Sequence, residues 1–324
     1  MNIQDVFAAY RQDLQRVEQC INTHVRSEIK LIPKIAHHLI DSGGKRFRPL
    51  LLLICARLCG YRGENRIPMA AAMEFFHTAT LLHDDVIDQA SMRRGQASAN
   101  QVFGNAVSIL VGDFLSFKAF TLITGIGRME ILRLISEMGK VMSEGEVFQL
   151  TKRGDIHMRQ KDYLKIIERK TAVLISASCA AGAILASAPQ EKIQALARFG
   201  IHIGMAFQIT DDILDYTASS KQFGKSLGKD LEEGKITLPL LLAVQNVSAE
   251  EKQRIKEILG AGKVSQKQMR EILGLIRQYD AMNASWATAA SYLKKAKSQL
   301  KIFHDSPEKE HLKAVADYVI TRKA

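Results

Sequence analysis

The chain has 324 residues, of which 47% are hydrophobic and 6% aromatic, with 6 prolines. This suffices for one large domain or two small ones, and a composition rich in Ala, Leu, Ile, Lys and Glu favours helix over sheet. The formal net charge is +11, but the basic residues are not interleaved with aromatics and form no recognition motif, which argues against nucleic acid as a partner.

Cys20, Cys55, Cys59 and Cys179 show no CxxC and no framework spacing, and read as free thiols in a reducing compartment. The opening stretch MNIQDVFAAYRQDLQ is charged and amphipathic and lacks a signal-like apolar core, so a cytoplasmic location is expected. Apolar residues then recur at three- and four-residue spacing over 3–25, 31–40, 48–59, 67–89, 98–123, 128–150, 160–187, 190–217, 237–246, 250–259, 265–278, 281–302 and 308–321, each span predicting a helix. Breakers separate them: DSGGKRFRP at 41–49, GYRGENRIP at 60–68, TGIG at 124–127 and FGKSLGKDLEEGK at 223–235. No alternating strand pattern of useful length is present. The expectation is an all-α chain, one domain over 1–324, built as a bundle of long helices.

The uncharged run TAVLISASCAAGAILASA at 171–188 nears the length of a membrane span, but 7 of its residues are alanine and 4 are Ser or Thr. It reads as a helix packed closely through small side chains, internally or at a subunit interface. Residues 251–324 hold 15 Lys and Arg against 8 Asp and Glu. The plain reading is a solvated amphipathic face, with weak attraction to an anionic membrane surface as a further expectation.

Two acidic segments stand out inside apolar helices: LLHDDVID at 81–88 and ITDDILD at 209–215. At about 100° per residue, Asp84 and Asp88 lie roughly 40° apart on one face, and Asp211 and Asp215 repeat the relation. Asp85 points to the side. Buried unpaired carboxylates are costly, whereas carboxylates ligating a hard cation are not. Mg²⁺ suits all-oxygen ligands and completes its shell from substrate phosphate. The aspartates therefore predict Mg²⁺, and Mg²⁺ held this way predicts a phosphorylated substrate. Basic residues cluster near both motifs. Arg93 and Arg94 follow the first; Lys45, Arg46 and Arg48 lie in GGKRFRP; Lys170 precedes Thr171; Lys225, Lys229 and Lys235 lie in the glycine-rich loop after the second. Arg grips phosphate bidentately and Lys acts as a point charge. These are more cations than one diphosphate beside Mg²⁺ requires, so two anion sites are expected, one metal-bound and one held by Lys and Arg alone.

The sequence resembles the trans-isoprenyl diphosphate synthases of the long-chain polyprenyl type. The resemblance rests on GGKRFRP at 43–49, HTATLLHDDVID at 77–88, MRRG at 92–95, GD at 112–113, KT at 170–171, FQITDDILD at 207–215 and GKSLGKDLEEGKITLPL at 224–240. It implies an all-helical fold around a deep central cavity and a homodimer. Asp84, Asp88 and Asp211 would hold as many as three Mg²⁺ ions, with Asp85, Asp212 and Asp215 acting behind them or through water. Arg93, Lys170, Thr171, Gln208, Lys225 and Lys235 would contact the diphosphate of an allylic substrate, farnesyl diphosphate being the expected starter. Lys45, Arg48, His77 and Arg94 would hold isopentenyl diphosphate. Lys229 receives no role. His83 reads as packing or as a support behind the metal ligands, and His77 as a phosphate ligand in preference to a general base.

One turn before Asp84 lie Ala79 and Thr80, where short-product members of the family often carry bulky aromatics. Small side chains there leave room for a growing chain, and Phe76, Phe117 and Phe120 are candidate floors. The expected product is a long all-trans polyprenyl diphosphate, C40 by preference and for a quinone side chain, with a geranylgeranyl-type product as the alternative. A class I terpene cyclase would not need the second basic site. A phosphohydrolase using His83–Asp84 would need further histidines. A non-catalytic prenyl-binding subunit would not keep both carboxylate sets.

Overall fold

The computed structural model describes residues 1–41, 46–217, 228–260 and 264–322. Lys45 and Lys225 lie outside the described residues. The chain order begins α1 (Ile3–Ala9), α2 (Arg11–His24), α3 (Leu31–Ile40), α4 (Phe47–Leu58) and α5 (Arg66–Ile87). A two-stranded hairpin follows, β1 (Met92–Arg93) and β2 (Gln96–Ala97), then α6 (Ala99–Phe103), α7 (Asn105–Ile126), α8 (Met129–Thr151), α9 (Gln160–Ile167), α10 (Val173–Leu185) and α11 (Gln190–Thr217). Among the described residues, six further α-helices and a short 3-10 turn (Leu300–Ile302) run from Lys229–Glu232 to Pro307–Thr321.

Most expected spans are matched closely in their bounds, and the departures have local causes. The span 3–25 is broken at Tyr10, whose backbone leaves the helical region at φ −113°. Its ring is buried, edge-on to His311 at 5.5 Å and under the Arg57 guanidinium at 4.4 Å, so tertiary packing overrides helix propensity there. The span 98–123 is broken at Gly104, whose φ of +88° ends α6 and starts α7. The hairpin at 92–97 is too short to show an alternating pattern. Its two turn residues, Arg94 and Gly95, have φ of +50° and +81°, as a tight two-residue turn between twisted strands requires.

The helices form two compact units. The first comprises Met1–Met138, Leu174–Gly200 and Gln299–Val315. Here α5 packs along α7, and Gly112 lets the two approach: a Cβ on it would sit 2.4 Å from His83 Nε2. The small-residue run is internal. Every residue from Leu174 to Leu185 is buried, and Gly182 faces the α4 backbone, where a Cβ would come within 2.6 Å of Leu52 O. Asp13 on α2 accepts from Arg57 at 2.7 Å and Arg66 at 2.8 Å. Burial opposes its charge, but the two guanidiniums outweigh that and hold its carboxyl below the ordinary range.

The second unit comprises Gly139–Val173, Ile201–Ser298 and Ala316–Ala324. Its core gathers Ile209, Ile213, Leu238, Leu240, Ile272 and Ile276 among others. Between α9 and α10 the helix widens into a π turn over Glu168–Ala172. Gly145 and Gly204 make room for it: a Cβ on Gly145 would meet Arg169 Cβ at 2.6 Å, and one on Gly204 would meet Ala172 Cα at 2.4 Å.

Candidate active site

In the first unit the acidic motif occupies the last turn of α5. Asp84 and Asp88 are partly buried, and Asp88 caps the helix by donating its N–H to Asp84 O at 2.8 Å. Asp85 is fully buried and accepts from Arg93 Nε at 2.6 Å. His83 packs its ring on Gly112, with Nε2 3.2 Å from Ile109 O and 3.3 Å from Asp113. The GD pair at 112–113 thus fixes the α5 residue next to Asp84.

Beside this motif the arginines gather around His77. Arg46, Arg48, Arg93 and Arg94 all act on its imidazole, and burial together with these four cations pushes its pKa well below the ordinary value. Arg46 has a structural partner set: it pairs with Glu18 and with Glu74 at 2.9 Å and caps Ile40 O at 3.1 Å. Its φ is +44° and that of Arg94 +50°. Left-handed backbone costs a non-glycine residue roughly 1–2 kcal/mol, and here the Arg46 ion pairs and the hairpin turn hold the two positions. Arg48 sits in the first turn of α4, ahead of Pro49, where proline costs no helical hydrogen bond. The unit therefore brings together Arg48, His77, Arg93 and Arg94, with Arg46 as their clamp. Glu74, three residues before His77, was not singled out by the sequence; its spacing on the same helix face was the available signal.

In the second unit Lys170, Thr171, Gln208, Asp212 and Lys235 line one cavity of about 100 Å³. The π turn presents Lys170 and Thr171, as such insertions often do at functional sites. Thr171 Oγ1 donates to Gln208 Oε1 at 2.7 Å, Gln208 Nε2 donates to Asp212 Oδ1 at 2.8 Å, and Tyr163 OH donates to Asp212 Oδ2 at 2.6 Å. Asp212 is buried, and burial with the charge of Asp230 pushes its carboxyl upward against those two donors. Tyr163, seven residues before Lys170, went unremarked in the sequence, as did Lys152 and Arg153 of the same cavity.

Two of the lysines lining that cavity have internal counter-charges. Lys170 Nζ meets Glu146 at 2.8 Å, and Lys235 pairs with Glu233. Lys229 joins the same Glu233 at 3.2 Å, which gives this residue a structural place. Asp215 Oδ2 accepts from Asp230 N at 3.3 Å and so anchors the short helix Lys229–Glu232. Asp211 accepts from Arg322 at 2.6 Å.

For chain length, Ala79 is buried and Thr80 partly so, its hydroxyl turned back to His77 O at 2.8 Å. Phe76 and Phe120 stack edge to face at 5.3 Å between α5 and α7. Phe117, the third candidate floor, is 70% exposed on α7.

Asp84 and Asp88 in the first unit, and Asp211 in the second, each offer carboxylate oxygen only, the donor type a hard cation prefers. Among the described residues no three His, Cys, Asp or Glu side chains converge as a ready-made metal cluster.

The sequence profile of the Polyprenyl synthetase family matches residues 29–276. The octaprenyl diphosphate synthase of Escherichia coli (strain K12) is 37% identical over 322 residues, 99% of each chain. The all-trans-nonaprenyl-diphosphate synthase (geranyl-diphosphate specific) of Rhodobacter capsulatus is 36% identical over 310 residues, 95% of this chain and 94% of that one. A polyprenyl synthase from Caulobacter crescentus CB15, solved in complex with calcium and isoprenyl diphosphate, superposes with a TM-score of 0.95 at 39% identity, covering 100% of this chain and 98% of the other. On this evidence the chain belongs to the polyprenyl synthetase family.

Proposed function

We propose that this polyprenyl diphosphate synthase extends an allylic diphosphate, farnesyl diphosphate by preference, with successive isopentenyl diphosphates to an all-trans C40 product. The observation that carries the reading is the second basic site: an arginine cluster around an uncharged His77, in a chain that also has a lysine-lined cavity at Lys170 and two aspartate motifs. A terpene cyclase has no use for the arginine cluster, and a non-catalytic subunit has none for the carboxylates. One family match running through segments of both units supports treating 1–324 as one catalytic domain.

Arg48, Arg94 and His77 bind the diphosphate of isopentenyl diphosphate. Burial and four arginines oppose protonation of His77, which makes it a poor proton acceptor and leaves a neutral ring able to donate an N–H to a phosphate oxygen. Lys170, Thr171, Gln208 and Lys235, with Arg93, bind the allylic diphosphate. Asp84, Asp88 and Asp211 would hold Mg²⁺, which when bound would stabilise negative charge on the leaving diphosphate. The allylic C–O bond breaks and its electron pair stays with the diphosphate, which Lys170 and Lys235 stabilise. The double bond of isopentenyl diphosphate then forms the new C–C bond to the allylic cation, and a proton passes to the departed diphosphate. Holding both substrates in place is worth about 7–11 kcal/mol.

Small side chains at Ala79 and Thr80 support a long product; octaprenyl and nonaprenyl relatives at 37% and 36% identity do not separate neighbouring lengths. A homodimer is supported by α7, which leaves Ile109, Leu110 and Phe117 exposed at 41%, 66% and 70%. Arg254–Glu271, Lys297–Asp317, Lys309–Asp305 and Lys313–Glu310 pair within 251–324 and intersperse its charge, so the remaining basic surplus supports only a weak membrane attraction. Incubation with labelled isopentenyl diphosphate, farnesyl diphosphate and Mg²⁺, followed by product chromatography, tests the reading. Elongated all-trans product centred on C40 is expected. Cyclic hydrocarbon, released inorganic phosphate, or product stopping at C20 contradicts it.

A further inference from the structure

Arg322 lies one residue beyond the helix Pro307–Thr321, and nothing in the sequence marks it. Its guanidinium makes four contacts. It donates to Asp211 Oδ1 at 2.6 Å, to Phe207 O at 2.9 Å and to Val319 O at 3.2 Å, and it lies over the Phe207 ring at 3.7 Å. The arginine side chain is 12% exposed and the aspartate 42%. Phe207 and Asp211 are one turn apart on α11, so the guanidinium bridges the aromatic face and the carboxylate of the second acidic motif. A planar cation suits both contacts at once; a lysine would satisfy only the charge.

We propose that Arg322 is a built-in competitor for the metal-binding carboxylate of Asp211, so that a divalent cation entering the second motif displaces this arginine. The inference rests on the reading of Asp211 as a metal ligand. Asp211 belongs to an acidic neighbourhood with Asp212, Asp215 and Asp230, where like charges repel. Arg322 relieves that repulsion and keeps the motif folded. A metal ion does the same with two charges, and the two cations draw on the same carboxylate. Metal affinity at the second motif is thereby set against the docking of residues 316–322. Metal uptake frees the guanidinium from Asp211 while the Phe207 carbonyl and ring remain to hold it.

The test compares wild type with Arg322→Gln and Arg322→Lys in the full chain, by titration with Mn²⁺ in the absence of substrate. Free Mn²⁺ is followed by electron paramagnetic resonance and thermal stability by circular dichroism. An ion pair with one half-exposed partner corresponds to roughly a two- to five-fold effect. Arg322→Gln is expected to tighten Mn²⁺ binding by that factor, to lower Tm without metal, and to show a larger Mn²⁺-induced rise in Tm than wild type. Arg322→Lys, which keeps the charge, is expected to fall between. Unchanged or weaker Mn²⁺ binding in Arg322→Gln, with a native circular dichroism spectrum, overturns the proposal, because Arg322 would then orient Asp211 for the metal or be indifferent to it. If wild type elongates its substrate and yet the variants bind Mn²⁺ no more tightly, only this inference falls. If wild type neither elongates substrate nor binds Mn²⁺, the reading of Asp211 falls with it.

Discussion

His77 shows how a single residue takes its chemistry from its neighbours. An isolated imidazole titrates near neutrality, but burial and four arginines press this one toward the neutral form. Its folded pKa lies below its unfolded value, so the unfolded chain binds more protons and stability falls as pH drops below the unfolded value. Wild type is expected to lose Tm between about pH 7 and pH 5 more steeply than His77→Gln, which cannot titrate; parallel curves would show that the site does not oppose protonation. The arginines also differ from one another. Arg46 is spent on Glu18 and Glu74, and removing Glu74 would leave it to Glu18 and the Ile40 carbonyl, at a cost of about 1.5–3 kcal/mol for the lost charged hydrogen bond. The motif GGKRFRP presents its three cations alike. What separates Arg46 from Arg48 is contact with α2 and α5, made by residues distant in the chain.

At the scale of elements, the three- and four-residue periodicity is visible wherever one helix face is buried, and most helices follow it closely. What periodicity does not carry is an interruption set by tertiary contact. The break at Tyr10 has no glycine or proline to announce it, and the π turn at Glu168–Ala172 preserves the apolar pattern while shifting Lys170 and Thr171. The aspartate motifs were legible because charge inside an apolar helix is costly without a purpose. Arg322 was not, because its partner lies on another helix. The α5–α7 pair gives a direct test of chain-length control. Thr80, partly buried, tolerates a larger side chain better than fully buried Ala79, where Phe would overpack the core by typically 1–3 kcal/mol. Thr80→Phe is expected to shorten the product, and Phe120→Ala, which removes one half of the edge-to-face pair, to lengthen it. Unchanged product lengths from both variants would place the channel elsewhere.

For the whole molecule, α7 raises the question of what covers its apolar side. The helix is long and apolar enough to cross a membrane by composition, yet one face packs on α5. An exposed apolar stripe on a helix of this kind marks an interaction surface. If a second copy covers it, Phe117→Glu is expected to shift the protein from dimer to monomer in sedimentation velocity, with the helical content kept. A dimer that persists would assign the interface to another face.

Carboxylates that recruit a metal for one diphosphate, beside arginines that alone suffice for the other, are the core of the proposed chemistry. The most direct measurement is calorimetric binding of a non-ionising allylic analogue, farnesyl thiolodiphosphate, and of isopentenyl diphosphate, each with and without Mg²⁺, to wild type and Asp84→Asn/Asp88→Asn. The allylic analogue is expected to bind only with Mg²⁺ and to lose that binding in the variant, while isopentenyl diphosphate binds in all cases. Allylic binding that is equally tight without Mg²⁺ and in the variant would contradict it.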